Sequence, residues 1–358
     1  MRWASNNHYT TKIRADRAEK NRRHHHQHHH IAQSGNLGNE RKNLAADKRQ
    51  RKTDHHQEEK CRFRKNLKRI LLAINFNFPH YENIPMLYDF YQPHFAKVVF
   101  CGPEESKQFQ VIKMNGIYGW EGYHCLAKAI EKYSRSDQNT YDGYFYTNDD
   151  VQLNFWNLNA DPGRSWLGSP IKWSDSQQIG KPASDEWMWW ANNTARCERV
   201  LRYLEERSSA GDSASIINTY LENYYTNTQS NIDDGGGEQQ RQFCIMGWSD
   251  AFYIPARHAD SYVYLANLCE HNKLFLEIAS AMILHMLEKD EELLNMNGMY
   301  HAEYDPDPIM GFFDTYTFGV AFSHPFKLSV QVNKNFFHNM IVPYAEERVN
   351  ACAEADWG

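Results

Sequence analysis

The run Arg69-Ile70-Leu71-Leu72-Ala73-Ile74-Asn75-Phe76-Asn77-Phe78 is apolar at almost every position and is stopped by Pro79. A strand with one wet face alternates apolar and polar side chains; a nearly continuous apolar run belongs to a strand buried on both faces. Such a strand needs cover above and below, and the residues that follow supply it. Residues 83–91 read as a short helix, with Pro85 tolerable in its first turn. Residues 97–101 read as a second strand closed by Gly102-Pro103, and 108–113 as a third. Residues 123–133 form a helical pattern with Leu126, Ala127, Ile130 and Tyr133 on one side, and 141–147 are strand-like, led in by Asp142-Gly143. Strand and helix alternating over about 80 residues predict an α/β fold, a doubly wound and mostly parallel central sheet flanked by helices.

The strand at 141–147 runs into three oxygen-bearing side chains, Asn148, Asp149 and Asp150. Adjacent carboxylates at the end of a buried strand repel one another and lose hydration, which is costly unless a cation or hydrogen-bond donors compensate. Hard oxygen ligands suit Mg²⁺ or Mn²⁺, which keep coordination positions open for substrate phosphates. An Asx-type turn with solvated acids uses the same residues. Their position favours the first reading, because ligands of doubly wound sheets collect at the carboxyl ends of strands.

Further along, residues 184–207 read as a helix with Ser184 as its N-cap, and 215–225 as another. Six tryptophans fall between Trp156 and Trp190; most suit a core, and one or two suit a pocket for a sugar or a base. Residues 227–240, with Gly235-Gly236-Gly237, resemble a mobile loop. Residues 242–255 read as two strands about a Gly247-Trp248-Ser249-Asp250 turn. The helix predicted over 273–288 is apolar nearly all round and therefore buried. Glu277 is one of its few exceptions. A carboxylate there must be paired, metal-linked or raised in pKa; an ion pair with Arg257 or Lys273 competes with a role as base or acceptor-binding group. Residues 301–307 form an acidic turn and 311–322 a strand-like aromatic run. Beyond it, His324 is fixed by Pro325 and suits a metal ligand, and Lys327 suits a diphosphate. Residues 342–353 read as a closing helix.

Charge divides the chain. Residues 1–69 carry 19 Lys and Arg against 7 Asp and Glu, and the remainder 20 against 38. The leader, residues 1–66, is polar, basic and His-rich (His24 to His30), and buries too little apolar surface to offset chain entropy; it is expected to be disordered ahead of a folded domain at 67–358. Its basic clusters suggest nucleic acid as a rival partner, but the folded part offers no recognised nucleic-acid module, so no specific nucleic acid is expected. No segment approaches the ~20 apolar residues of a membrane span, and no apolar signal core follows the first Met. The seven cysteines have no metal-type spacing, and several fall in core-like segments, which argues against a disulfide framework.

The order of these features resembles the glycosyltransferase-A fold. In more detail, residues 75–103, 144–156 and 247–279 resemble the STELLO-like glycosyltransferases, over roughly residues 68–330 and none of the leader. The resemblance implies transfer of a sugar from a nucleotide diphosphate sugar donor to a hydroxyl acceptor, with Mn²⁺ or Mg²⁺ as cofactor and the Golgi or secretory lumen as location. It implies that Asn148, Asp149 and Asp150 correspond to the Asp-x-Asp motif, with Asp150 the principal metal ligand and His324 the late metal-binding histidine. Asn148, Asp149, Lys327 and Trp248 are then substrate-binding candidates, and Glu277 or Asp250 the base that deprotonates the acceptor. Asn148 departs from the motif's first Asp, and the membrane anchor usual in Golgi members is not seen. A catalytically silent scaffold of the same fold in a Golgi complex is the alternative.

Overall fold

The computed structural model describes residues 61–114, 120–134, 140–158, 161–168, 173–174, 193–210, 214–229, 244–300 and 316–355. Residues 1–60 of the leader, with the His24–His30 run, and Trp187 to Trp190, the triple glycine and the 301–307 turn lie outside these residues. The described residues fall in one compact unit.

The apolar run forms strand β1 (Ile70–Asn75), every residue of it buried. Its side chains alternate between two cores. Leu71 and Ala73 enter one; Ile70, Leu72 and Ile74 enter the other. Helix α1 (Ile84–Tyr91), with Pro85 in its first turn, packs Leu87 and Phe90 into the second core. Strands β2 (Lys97–Gly102) and β3 (Val111–Lys113) extend the sheet in parallel on one side of β1. Helix α2 (Tyr123–Tyr133) covers the first core's face, and β4 (Gly143–Asn148) returns parallel to β1 on its other side, with Asn148 opposite Asn75.

After β5 (Gln152–Leu153), β6 (Trp166–Leu167) and β7 (Trp173–Ser174) come helices α3 (Thr194–Ser209) and α4 (Ala214–Gln229). Strands β8 (Ile245–Met246) and β9 (Ala251–Pro255), helices α5 (Ala259–His271) and α6 (Leu276–Leu287), strands β10 (Leu294–Asn295), β11 (Gly298–Tyr300) and β12 (Phe322–His324), and a closing helix α7 (Val342–Ala355) complete the order. The central sheet has seven strands in the order β10-β6-β9-β4-β1-β2-β3. β9 alone runs antiparallel to its neighbours. The doubly wound, mostly parallel sheet flanked by helices is therefore the architecture expected from the sequence.

Several expectations need correction. Residues 242–255 do not form a hairpin: β8 pairs with β7 in a separate small sheet, and β9 enters the central sheet between β4 and β6. The Gly-Trp-Ser-Asp segment is thus a connection between sheets. The described part of the aromatic run, from Tyr316, contributes no strand before Phe322; its rings pack on one another and on Phe326, Phe336 and Tyr344 instead. The described helix of the 184–207 segment begins at Thr194. Phe63, inside the leader as drawn, is fully buried in a short helix, so packed structure begins before residue 67. Disulfides join Cys61–Cys352, Cys101–Cys125 and Cys197–Cys244, leaving Cys269 free and buried. Buried cysteines looked like inert small apolar residues, whereas the fold brings them together in pairs. No helix among the described residues is long and apolar enough to cross a membrane.

Candidate active site

The sheet reverses its winding between β1 and β4: β2 and β3 lie on one side of β1, and β4 on the other. Carboxyl ends of strands at such a reversal diverge into a crevice. β1 ends there at Asn75 and β4 at Asn148. The turn after β4 is closed by backbone hydrogen bonds from Asp149 N to Asn75 O (2.9 Å) and from Val151 N to Asn148 O (3.2 Å).

Three other pieces of chain are delivered to this turn by strand pairing. β9 is antiparallel to β4, so its start lies at the carboxyl end of β4. Thr147 faces Ala251, and Asn148 N donates to Asp250 O at 3.0 Å. β12 pairs with β5, just beyond Asp150, with Ser323 opposite Gln152; His324 is thereby brought to Asp150. The chain after His324 stays close, with Phe326 N donating to Asp150 O. β11 lies parallel to β12 with Tyr300 opposite His324. Finally, Gly247 N donates to Glu277 O at 3.1 Å, tying the first turn of α6 to the connection that carries Trp248 and Asp250.

The sequence candidates converge. Nε2 of His324 lies 3.5 Å from Asp150 Oδ1 and 3.5 Å from Asp250 Oδ1, with the three side chains 23%, 17% and 10% exposed. Burial lowers the proton affinity of His324, but Asp250, Asp150 and Glu277 more than reverse this and raise its pKa to about 9. Burial pushes Asp150 up, yet the His324 and Lys327 cations outweigh it and hold Asp150 below the usual carboxylate range. Asp250 is raised by burial and by the charge of Asp150, against the pull of His324. Asp149 is raised to about 8, first by burial and then by Asp150, while Asn77 N donates to its Oδ1 at 3.3 Å. Glu277 is raised to about 8, by burial and by Asp250. Neither cation considered for Glu277 pairs with it: Arg257 meets Glu288, and Lys273 meets Glu121 and Glu270.

Asn148 stands differently from the rest. It is 2% exposed. Its amide oxygen accepts from the Tyr146 hydroxyl at 2.6 Å and from Asn75 Nδ2 at 3.4 Å, and its amide nitrogen donates to Asp250 Oδ1 at 2.9 Å. The side chain is thus a strut between strands. Tyr300 is a neighbour that sequence reasoning missed. Its ring lies 4.3 Å from that of Trp248 and 5.6 Å from that of His324. A single Tyr closing a three-residue strand carries no motif.

Whether these residues suit a divalent cation can be tested on the donor atoms. Asp150 Oδ1 is buried and accepts no hydrogen bond. An imidazole nitrogen stands 3.5 Å away, within the ~4.4 Å reached by two ligand bonds of ~2.2 Å to one ion. Among the described residues no three His, Cys, Asp or Glu side chains form a metal cage. The arrangement therefore fits an open site with two protein ligands, the rest of the coordination sphere falling to substrate oxygens and water, as Mg²⁺ and Mn²⁺ tolerate.

Comparison with known proteins bears out the resemblance. Residues 12–166 match the family model of the STELLO glycosyltransferases. The match starts inside the leader, which the sequence reading had left out of the resemblance, and includes Asn148 to Asp150 but not Asp250, Glu277 or His324. A protein of Arabidopsis thaliana named "Probable glycosyltransferase STELLO2" is 22% identical over 288 residues, covering 80% of this chain and 33% of its own. The chain thus spans about a third of the length of that relative.

Proposed function

We propose that this chain is a metal-dependent glycosyltransferase that moves a sugar from a nucleotide diphosphate sugar to a hydroxyl acceptor. The observation that carries the reading is the meeting of Asp150 and His324, from distant parts of the chain, at the reversal point of a doubly wound sheet. Its kinship to the STELLO glycosyltransferases supports the reaction class.

Asp150 and His324 would hold Mn²⁺ or Mg²⁺, which supplies positive charge opposite the departing diphosphate. Lys327 lies close enough to lower the proton affinity of both Asp149 and Asp150, and would add a second cation against the phosphates. Asp149, whose proton affinity is raised by burial and by Asp150, would meet a ribose or phosphate oxygen. Burial and then the charge of Asp250 raise the pKa of Glu277 to about 8, against the pull of His324, and a base of raised pKa suits proton abstraction near neutral pH. Asp250 already receives Asn148 and faces His324, so Glu277 rather than Asp250 would take the acceptor's proton if the displacement inverts.

A thermal-shift panel of nucleoside diphosphates and their sugars, with and without Mn²⁺, tests the reading. Stabilisation that requires both the nucleotide and Mn²⁺ supports it, and a flat panel rejects it in favour of the silent scaffold.

A further inference from the structure

His324 Nε2 stands 3.5 Å from two carboxylate oxygens, Asp150 Oδ1 and Asp250 Oδ1. Both separations lie within the ~4.4 Å that two ligand bonds of ~2.2 Å to one ion can span. Distance therefore does not decide which carboxylate would share a cation with the histidine. Hydrogen bonding does. Among the described residues Asp150 Oδ1 accepts no hydrogen bond, which leaves its lone pairs to an ion. Asp250 Oδ1 accepts from Asn148 Nδ2 at 2.9 Å, and the Asp250 carbonyl accepts from Asn148 N at 3.0 Å. One residue thus holds Asp250 by side chain and backbone together.

The direction of the Asn148 amide is itself fixed. Its oxygen accepts from the Tyr146 hydroxyl at 2.6 Å and from Asn75 Nδ2 at 3.4 Å. Turning the amide over would set its NH₂ group against that of Asn75 and would lose the bond to Asp250. Tyr146 is fully buried, with its ring stacked on that of Phe252 at 4.8 Å, so its hydroxyl stays in place. Asn75 is oriented in turn by its bond to Asn77 Oδ1 at 3.0 Å. An aspartate at position 148 could accept from Tyr146 and Asn75, but when ionised it would have nothing to donate to Asp250.

We propose that Asn148 is a positioning residue that selects the metal ligand: it holds Asp250 off the cation and leaves Asp150 to share it with His324. The inference rests on the metal-dependent transferase reading and gives the first motif position a task within it. A cation held by one carboxylate and one imidazole retains positive charge and open positions for the two phosphates of the donor. A second carboxylate would neutralise that charge and fill one of those positions. With Asp250 held back, cation and nucleotide each tighten the binding of the other, by the same factor.

Manganese titrations of the full chain, read from the electron paramagnetic resonance signal of free Mn²⁺ with and without uridine diphosphate, test this. The wild type should bind Mn²⁺ weakly alone and more tightly with the nucleotide. Asn148→Ala releases Asp250, so Mn²⁺ alone should bind about tenfold tighter, and the further gain on adding uridine diphosphate should shrink. Asn148→Ala combined with Asp250→Asn should return to the wild-type affinity. With Asn148 in place, Asp150→Asn should lose Mn²⁺ binding, whereas Asp250→Asn should stay within about tenfold of the wild type. This second comparison decides the matter even if Asn148→Ala does not fold, which melting curves check. Unchanged or weaker Mn²⁺ binding in a folded Asn148→Ala, or an Asp250→Asn loss as severe as that of Asp150→Asn, overturns the inference and leaves the metal-dependent reading standing. A wild type that binds no Mn²⁺ even with uridine diphosphate overturns both.

Discussion

His324 Nε2 stands 3.5 Å from Asp150 Oδ1, although the two residues lie far apart in the sequence. Without a bound cation, the imidazolium together with Lys327 is the positive charge that offsets this cluster of acids. The metal proposed to bind Nε2 would have to displace that proton, so pH would set the choice between the two.

The first prediction follows from that competition. Folding raises the pKa of His324 from 6.5 to about 9, of Asp149 from 3.8 to about 8 and of Glu277 from 4.5 to about 8. All three bind protons more tightly folded than unfolded, so stability falls as pH rises: from about pH 4 to 8 for the carboxyls, and from about 6.5 to 9 for the histidine. Metal-free protein should be measurably less stable to urea at pH 8.5 than at pH 6, and His324→Ala should remove the upper part of that slope. The stabilisation given by Mn²⁺ should grow over the same interval. Urea titrations at several pH values read both effects; stability that rises with pH would contradict them.

A second prediction concerns the departure from an acidic first motif position. Asn148 donates to Asp250 and accepts from Tyr146 and Asn75. Asn148→Asp would resemble the family motif more closely, but it removes the donor to Asp250 and buries another carboxylate beside it. The expected loss is about 1–3 kcal/mol, read from the midpoint of chemical denaturation. An Asn148→Asp protein as stable as the wild type would show that the amide is not the strut described.

Much of the frame was legible before any coordinates. β1, β2, α2, β4 and α6 could be placed because a two-sided apolar run, a helical stripe and an all-round apolar helix each carry their own periodicity. Asp150 was found from its position at a strand's end, and Glu277 from its cost in an apolar helix. What escaped depends on distance. Nothing in the spacing of Cys61 and Cys352 announces a disulfide, and nothing local reveals that β9 inserts antiparallel beside β4 while β8 goes to another sheet. Tyr300 was missed for the same reason, since its importance comes from its register with His324. Asn148 was read as a contact because its partners on β1 and before β9 become visible only when the strands are aligned.

The third prediction is chemical. Three disulfides and one buried thiol require that a denatured, unreduced sample accept alkylation at Cys269 alone among the described cysteines, and at all seven after reduction. Peptide mapping should recover the 61–352, 101–125 and 197–244 pairs. Free thiols at those six positions in freshly purified protein would contradict the pairing.

The fourth isolates Glu277. Glu277→Gln keeps the shape and removes the proton acceptor, so transfer should fall by about 10²–10⁴, while Mn²⁺-dependent nucleotide binding, measured by calorimetry, should persist. The pH profile of the remaining activity should lose its rise near pH 8. Unchanged turnover in Glu277→Gln would make that carboxylate a structural residue.

The most direct measurement is a calorimetric titration of uridine diphosphate into wild-type protein and Asp150→Ala, each with and without Mn²⁺ at pH 8. The account predicts binding by the wild type only when Mn²⁺ is present, and none by Asp150→Ala, whose melting temperature should stay near that of the wild type because loss of the contact to His324 is offset by relief of the charge beside Asp149. Nucleotide binding that is indifferent to Mn²⁺, or that survives in Asp150→Ala, would contradict a metal held between Asp150 and His324.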